Sequence, residues 1–186
     1  RIRTASTLNR DMTALRAALN LAKEDGYLQT DSAWAAKLRP VKDADRRRDV
    51  YLDPKQRRAL IAKAPPDMAA FLSALSLVPL RPGALASLVA GDFDKKLSTL
   101  RISKDKAGAD RKITLPKETA AFFAEQSKNK LPTAPLLARA DGKAWDKDAW
   151  KGPVKAAVIA AELPSTVTAY ALRHSVITDL VALHKL

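Results

Sequence analysis

The stretch TAYALRHSV, residues 168–176, combines an aromatic hydroxyl, a guanidinium and an imidazole: Tyr170, Arg173 and His174. Positions three apart on a helix share a face, so Tyr170 and Arg173 can reach the same ligand. A guanidinium presents a planar fork of donors that matches two oxygens of one phosphate. The stretch is therefore either part of a phosphate site on a helix or a polar patch on an ordinary helix surface.

A second arginine precedes a predicted helix start in LRPGALASLV, residues 80–89. Pro82 suits the first turn of a helix and leaves Arg81 at its entrance. The buried face of this helix would consist of Leu85, Leu88 and Val89. A helix N-terminus offers unpaired N–H groups and the positive end of a dipole, so an arginine beside it makes a second phosphate site. The alternative is an ion pair between Arg81 and Asp92 or Asp94.

Residues 99–116, TLRISKDKAGADRKITLP, change from helical to alternating periodicity. The alternating apolar residues are Leu100, Ile102, Ile113 and Leu115. Because Gly108 lies in the polar stretch between the two halves, the pattern predicts a β-hairpin. Lys104 and Lys106 would lie on one arm, and Arg111 and Lys112 on the other.

The remaining pattern is helical, and it predicts a mainly α fold with a small antiparallel β-sheet (α+β). The first helix would be capped by Ser6 or Thr7 and end at Gly26. Its apolar face would consist of Leu8, Met12, Leu15, Leu19 and Ala22. Asp53 and Pro54 predict another helix start. Trp34, Trp145 and Trp150 lie outside basic-aromatic runs and are interpreted as packing residues.

The composition favours a polyanionic partner, because 33 Lys and Arg face 20 Asp and Glu, a formal net charge of +13. Two basic clusters add to this: Arg46, Arg47 and Arg48, then Lys55, Arg57 and Arg58. We interpret them as a strap facing phosphates, with a solvated charged face as the alternative. Cysteine is absent and there are two histidines, which disfavours a zinc site. No apolar run reaches the roughly 18–20 residues that span a bilayer.

Taken in order, the N-terminal helix, LRPGALASLVAGDFD, the hairpin and YALRHSVIT resemble the tyrosine recombinase (phage integrase) family. The resemblance implies that residues 1–45 end a helical core-binding domain and residues 46–186 form the catalytic domain. It implies a site-specific recombinase or integrase of a phage or mobile element, acting in the cytoplasm without a metal or other cofactor. Its partners would be duplex DNA and further copies of itself, as a tetramer on DNA.

The resemblance also implies the role of each site residue. Arg81 and Arg173 match the two arginines that hold the phosphate. Lys106 matches the hairpin lysine that protonates the leaving 5′-oxygen, and Lys104 is the alternative match for that lysine. Tyr170 stands at the histidine of the family's His-x-x-Arg pair. Further contacts to DNA are expected from Arg46, Arg47, Arg48, Lys104 and Arg111.

Three departures from the family pattern leave alternatives open. Tyr170 replaces a histidine, and Ala84 stands where many relatives carry an acidic residue. The family's later His or Trp and its tyrosine nucleophile are expected beyond Leu186, so the chain is expected to be a fragment that cannot cleave DNA alone. The second hypothesis is a DNA-binding regulator that has lost catalysis on the same fold. A third is a basic RNA- or ribosome-associated protein.

Overall fold

A computed structural model of the chain describes residues 3–44, 50–103 and 110–184. The chain folds as two compact units, Arg1–Asp49 and Val50–Leu186. The first unit contains helices α1 (Ala5–Glu24) and α2 (Ser32–Ala35). Within it, the amide of Asn9 donates to the Val41 carbonyl at 2.9 Å and accepts from the Val41 N–H at 2.7 Å. These two bonds hold the segment after α2 alongside α1.

The start of α1 differs from the predicted one. Thr4 is the cap, with an extended backbone and a hydroxyl that accepts from the Thr7 N–H at 3.3 Å. Ser6 and Thr7 already lie inside the helix, and a capping residue must leave helical geometry, so neither can cap it. The predicted end is confirmed, because Gly26 follows the last turn with φ +81°.

The apolar face of α1 is only partly covered within the first unit. No residue of α1, all of which is described, is fully buried, and Leu8 and Leu15 are 42% and 52% exposed. Among residues 3–44 of this unit, Trp34 of α2 is the buried one, and its indole N–H donates to Asn20 Oδ1 at 2.9 Å. This burial agrees with the predicted packing role of Trp34.

The second unit is mainly helical with one antiparallel sheet, as predicted. Its helices are α3 (Pro54–Ala62), α4 (Pro66–Leu77), α5 (Pro82–Ala86), α6 (Lys117–Ser127), α7 (Lys147–Ala160) and α8 (Ala169–His184). Its strands are β1 (Phe93–Asp94), β2 (Thr99–Ile102) and β3 (Arg111–Thr114), in the order β1-β2-β3. The predicted hairpin is β2 and β3, with Leu100 opposite Ile113 and Ile102 opposite Arg111. The two-residue strand β1 was not predicted, because it is too short to show a period.

Helix α5 is shorter than predicted. It ends at Ala86, and Leu88 and Val89 lie beyond it. The Leu88 carbonyl accepts from the Leu136 N–H at 2.9 Å, and Val89 forms an antiparallel bridge with Pro135. Pairing with residues 134–136 satisfies the backbone there, so the apolar period of Leu85, Leu88 and Val89 does not continue as a helix.

The core of the second unit is built around α4. Phe71 is fully buried, and its ring centroid lies 5.7 Å from those of both Trp145 and Trp150. Leu72 and Leu75 are fully buried on the same helix. Both tryptophans therefore act in packing, as predicted, against α4, which ends at Leu77 just before the segment that carries Arg81.

The start of α3 offers a test of local stability. Asp53 and Gln56 form a reciprocal capping box, with the Gln56 N–H donating to Asp53 Oδ1 at 2.8 Å and the Asp53 N–H donating to Gln56 Oε1 at 3.0 Å. We expect Asp53→Ala to lower the free energy of unfolding by about 1 kcal/mol. Urea unfolding measures this, with Asp53→Asn as the control that keeps an acceptor. Equal losses in both variants would contradict the assignment.

Candidate functional site

Arg81 lies at the entrance of α5 in a short, firmly anchored segment. Val78, Leu80 and Pro82 are buried, while Arg81 is exposed. The alternation of buried and exposed residues directs the Arg81 side chain outwards from a fixed backbone. The predicted position at the helix entrance is therefore confirmed. Because α5 has five residues, its dipole sums few peptide units, and the positive charge at this point comes from the guanidinium itself.

The carboxylates that could have paired with Arg81 have other bonds. Asp92 is buried, and its Oδ1 accepts from Nε and Nη2 of Arg101 at 3.2 and 3.1 Å. Its Oδ2 accepts from the Val89 N–H at 3.0 Å. Asp94 accepts from the N–H groups of Lys96 and Leu97 in the β1–β2 turn. Both aspartates thus have a structural role in the sheet.

Arg173 is brought to the same place from α8. Its Nε donates to the Pro79 carbonyl at 3.0 Å, across 94 residues of sequence. Pro79 is two residues before Arg81, so their Cα atoms are at most about 7.6 Å apart. Helix α8 packs against both α4 and α5. The structure therefore places the side chain of Arg173 beside the segment that carries Arg81.

The opposite side of α8 is bonded to the entry segment of the second unit, Val50–Asp53. Ser175 is fully buried; its hydroxyl donates to the Ala171 carbonyl at 2.8 Å and accepts from the Leu52 N–H at 2.8 Å. A buried serine that accepts and donates in this way fixes the position of α8 along its axis relative to the entry segment.

A second contact joins the beginning of the second unit to α8, and it was not predicted from the sequence. Asp179 accepts from the Tyr51 hydroxyl at 2.8 Å and, through its other oxygen, from Nη2 of Arg57. We call Tyr51, Arg57 and Asp179 the carboxylate clamp. Arg57 is buried and bonded to Asp179, so it belongs neither to the predicted strap facing phosphates nor to the alternative, a solvated charged face. The spacing of Arg57 to the buried Leu60 places both on one face of α3, and this was the available signal.

The clamp shifts the acidity of two of its groups. The hydrogen bond to Asp179 raises the pKa of Tyr51, since it stabilises the neutral phenol. Burial raises the pKa of Asp179, but the hydrogen bonds from Tyr51 and Arg57 outweigh it, so this pKa lies below its ordinary value. The clamp is therefore favoured with Asp179 ionised and Tyr51 protonated.

Stability is expected to fall at both ends of the pH range. The lowered pKa of Asp179 gives stabilisation that is complete above about pH 4 and is lost as pH falls through the folded-state value. The raised pKa of Tyr51 gives stabilisation that is complete below about pH 10 and is lost as pH rises through the folded-state value. The free energy of unfolding, measured with urea from pH 3 to pH 7, should fall less steeply towards low pH in Asp179→Asn than in the wild type. An identical dependence on pH in both proteins would contradict the clamp.

Tyr170 lies in the first turn of α8, one turn before Arg173, and is 46% exposed. It therefore lies on the same side of the helix as Arg173, as the spacing predicts. His174 is exposed, and its backbone carbonyl accepts from the Thr178 hydroxyl at 3.0 Å. Of the side chains in TAYALRHSV, Arg173 is the one bonded to the segment before Arg81.

Part of the predicted basic surface lies outside the described residues. This applies to Arg46, Arg47 and Arg48 and to the hairpin lysines Lys104 and Lys106. Arg111 is described, is exposed and begins β3 opposite Ile102. The strands β2 and β3 thus lie on either side of the stretch of sequence that carries both lysines.

The described residues form neither a metal site nor a membrane-spanning helix. Within residues 3–44, 50–103 and 110–184, no three His, Asp or Glu side chains form a group that could hold a metal ion. Over the same residues, no helix combines the length and apolar character needed to cross a membrane.

No protein-family model and no curated protein matches this chain, but solved structures do. A Tn1549 transposon integrase variant in complex with transposon right end DNA is 21% identical, with a TM-score of 0.82 over 97% of this chain and 68% of its own. A lambda integrase dimer bound to a COC′ core site is 15% identical, with a TM-score of 0.78 over 96% of this chain and 68% of its own. The XerA recombinase is 22% identical, with a TM-score of 0.58 over 71% of this chain and 50% of its own.

This chain thus spans between 50% and 68% of the length of these three structures. At such low identity the likeness concerns the path of the backbone, which extends over nearly all of the chain in two of the three. Together with the mainly helical second unit and its small antiparallel sheet, these matches show that the chain has the fold of the tyrosine recombinases and integrases.

Proposed function

We propose that the chain is the phosphate-binding part of a site-specific DNA recombinase or integrase that cleaves and rejoins strands through a 3′-phosphotyrosine. The observation that carries the proposal is the bond from Arg173 Nε to the Pro79 carbonyl, which holds the second arginine beside the segment that carries the first. In the proposed function, the guanidinium groups of Arg81, at the entrance of α5, and of Arg173, on α8, hold one phosphate together.

The proposed chemistry follows from the charge that develops on phosphorus. A tyrosine oxygen attacks the phosphorus, the bond to the 5′-oxygen breaks, and the 3′-phosphotyrosine forms. Arg81 and Arg173 stabilise the negative charge on the non-bridging oxygens through bidentate bonds. Lys106 gives a proton to the departing 5′-oxygen, and rejoining reverses each step. Tyr170 donates a hydrogen bond to the same phosphate.

The attacking tyrosine is proposed to lie outside the 186 residues of this sequence. The sequence contains three tyrosines. Tyr51 is bonded to Asp179, Tyr27 belongs to the first unit, and Tyr170 occupies the position that the family gives to a histidine. None of these positions is that of the family's nucleophile.

Duplex DNA is the proposed partner, and the net charge of +13 favours binding mainly through phosphates. Arg46, Arg47, Arg48, Lys104 and Arg111 are proposed to add contacts beyond the arginine pair. Two of the similar structures are integrases in complex with DNA, which supports this choice over RNA. Self-association on DNA, up to a tetramer, is part of the same proposal.

The test compares the DNA affinity of arginine variants in a double-mutant cycle. The DNA is a duplex selected from a random-sequence pool by its binding to the wild-type chain. Affinity is measured as a function of salt for wild type, Arg81→Ala, Arg173→Ala and the double variant. Each single variant should reduce the salt slope by at most about 0.9, the value for one phosphate. The double variant should lose less than the sum of the single losses, because both residues hold one phosphate.

The control for the loss of one positive charge is Lys151→Ala, on the outer face of α7, where Lys151 pairs with Asp148. Arginine variants that bind DNA no more weakly than Lys151→Ala would overturn the proposal. Additive losses would show that the two arginines hold different phosphates.

A DNA-binding regulator without catalysis is the second candidate. It is favoured by Tyr170, which lies in the first turn of α8 at the position where the family has a histidine. A longer protein that contains this chain distinguishes the two candidates on a nicked duplex of its own site. The recombinase forms a covalent adduct that Arg173→Ala abolishes, whereas the regulator binds the duplex and forms none.

A further inference from the structure

We propose that Asp179 is a positioning residue for Arg173, and that Tyr51 and Arg57 hold it in this role. The inference rests on the proposed function, because it concerns the arginine that is to bind the phosphate. Its starting point is the pair of contacts that join α8 to the beginning of the second unit, at Ser175 and at Asp179.

The first step concerns the faces of α8. Ala171, Ser175 and Asp179 follow one another at intervals of four residues and therefore form one stripe along the helix. Arg173 lies about 160° around the axis from Ser175, on the opposite side. The helix is thus bonded to the entry segment through Ser175 on one side and to the Pro79 carbonyl through Arg173 on the other. Rotation of α8 would break both sets of bonds together.

The second step concerns the strength of the contact at Asp179. Both oxygens of the carboxylate are used, one by the Tyr51 hydroxyl and one by the Arg57 guanidinium. Arg57 is buried, and its Nε has no hydrogen-bond partner in the part of the chain that the structure describes. The guanidinium therefore depends on Asp179 for its charge partner, and a buried charge without a partner is costly. This dependence holds α8 in one rotational position about its own axis.

The third step relates the clamp to the site. Asp179 is six residues beyond Arg173 on the same helix, so it cannot touch the phosphate that Arg173 is proposed to hold. It acts through the helix, which carries the guanidinium of Arg173 to the Pro79 carbonyl. Loss of the clamp would let α8 turn and weaken the contribution of Arg173 while leaving that residue in place.

The experiment measures how much Arg173 contributes to DNA affinity with and without the clamp. The measured quantity is the ratio of affinities of the wild type and Arg173→Ala for the duplex recovered from the random-sequence pool. The same ratio is measured in a Tyr51→Phe background, which removes one hydroxyl and leaves the ring. We expect the ratio to be about tenfold or more in the wild-type background and at least about threefold smaller in the Tyr51→Phe background.

The matched control is Asp146→Ala, which removes the side-chain cap of α7 from the Asp148 and Ala149 N–H groups. It disturbs a helix end without touching the clamp, so the Arg173 ratio should keep its wild-type value. A ratio that is the same in the wild-type and Tyr51→Phe backgrounds would overturn the positioning role. A ratio that falls equally in the Asp146→Ala background would also overturn it.

A ratio near one in the wild-type background would instead overturn the proposed function, and the positioning role with it. Asp179→Asn is the second variant, measured below its own unfolding temperature. It keeps the size of the side chain but removes the charge that Arg57 needs, so it should reduce the Arg173 ratio further than Tyr51→Phe. An unchanged ratio in folded Asp179→Asn would overturn the inference independently of the tyrosine.

Discussion

Replacing Arg173 with alanine is expected to weaken binding of duplex DNA by about 10- to 100-fold, or about 1.4–2.8 kcal/mol. A hydrogen bond to a charged group contributes more than a neutral one, and the fork of an arginine makes two such bonds to one phosphate. The alanine variant also loses the bond to the Pro79 carbonyl, which fixes the direction of the side chain. Fluorescence anisotropy with a labelled duplex measures the change.

Arg173→Lys is the matched control, because it keeps the positive charge. A lysine has one terminal nitrogen, whereas an arginine can bond the Pro79 carbonyl through Nε and a phosphate through its two Nη atoms. We expect Arg173→Lys to recover only part of the lost affinity and to lie between the wild type and Arg173→Ala. Full recovery by lysine would show that charge alone, without the fork geometry, accounts for binding.

Phe71→Ala is expected to cause the largest loss of stability, about 3–5 kcal/mol in the free energy of unfolding. Phe71 is fully buried and its ring lies 5.7 Å from both Trp145 and Trp150, so its removal leaves a cavity where helices α4 and α7 meet. Urea unfolding followed by tryptophan fluorescence measures the loss and also reports the changed surroundings of the two indoles.

The control for Phe71 is Phe122→Ala on α6. Phe122 is only half-buried at the edge of the core, where it meets Phe123 edge to face at 5.3 Å. Its replacement should cost clearly less than that of Phe71. A similar loss in both variants would contradict the central place of the Phe71 cluster in the second unit.

Several features could be predicted from the sequence because their causes are local. Asp53 and Pro54 begin α3 through a capping box of neighbouring residues, and the alternation of Leu100 and Ile102 follows the period of a strand. The position of Arg81 at the start of α5 follows from Pro82. Each depends on chemistry within a few residues, which a sequence shows directly.

The errors of prediction have long-range causes. Leu88 and Val89 keep a helical spacing, but pairing with residues 134–136 draws them out of α5. Arg57 reads as part of a basic cluster, but its partner Asp179 is 122 residues away. No window of sequence contains both members of such a pair, so the burial of a charge could not be predicted.

The sequence by itself determined the types of side chain at the site, the starts of α3 and α5 and the hairpin, because propensity, capping and periodicity act locally. Only the tertiary structure decided that Arg173 meets the segment before Arg81 and that Asp179 joins α8 to Tyr51 and Arg57. These contacts depend on how helices pack, and packing minimises exposed apolar surface over the whole unit at once. Residues far apart in the chain therefore come together for reasons that no single stretch contains.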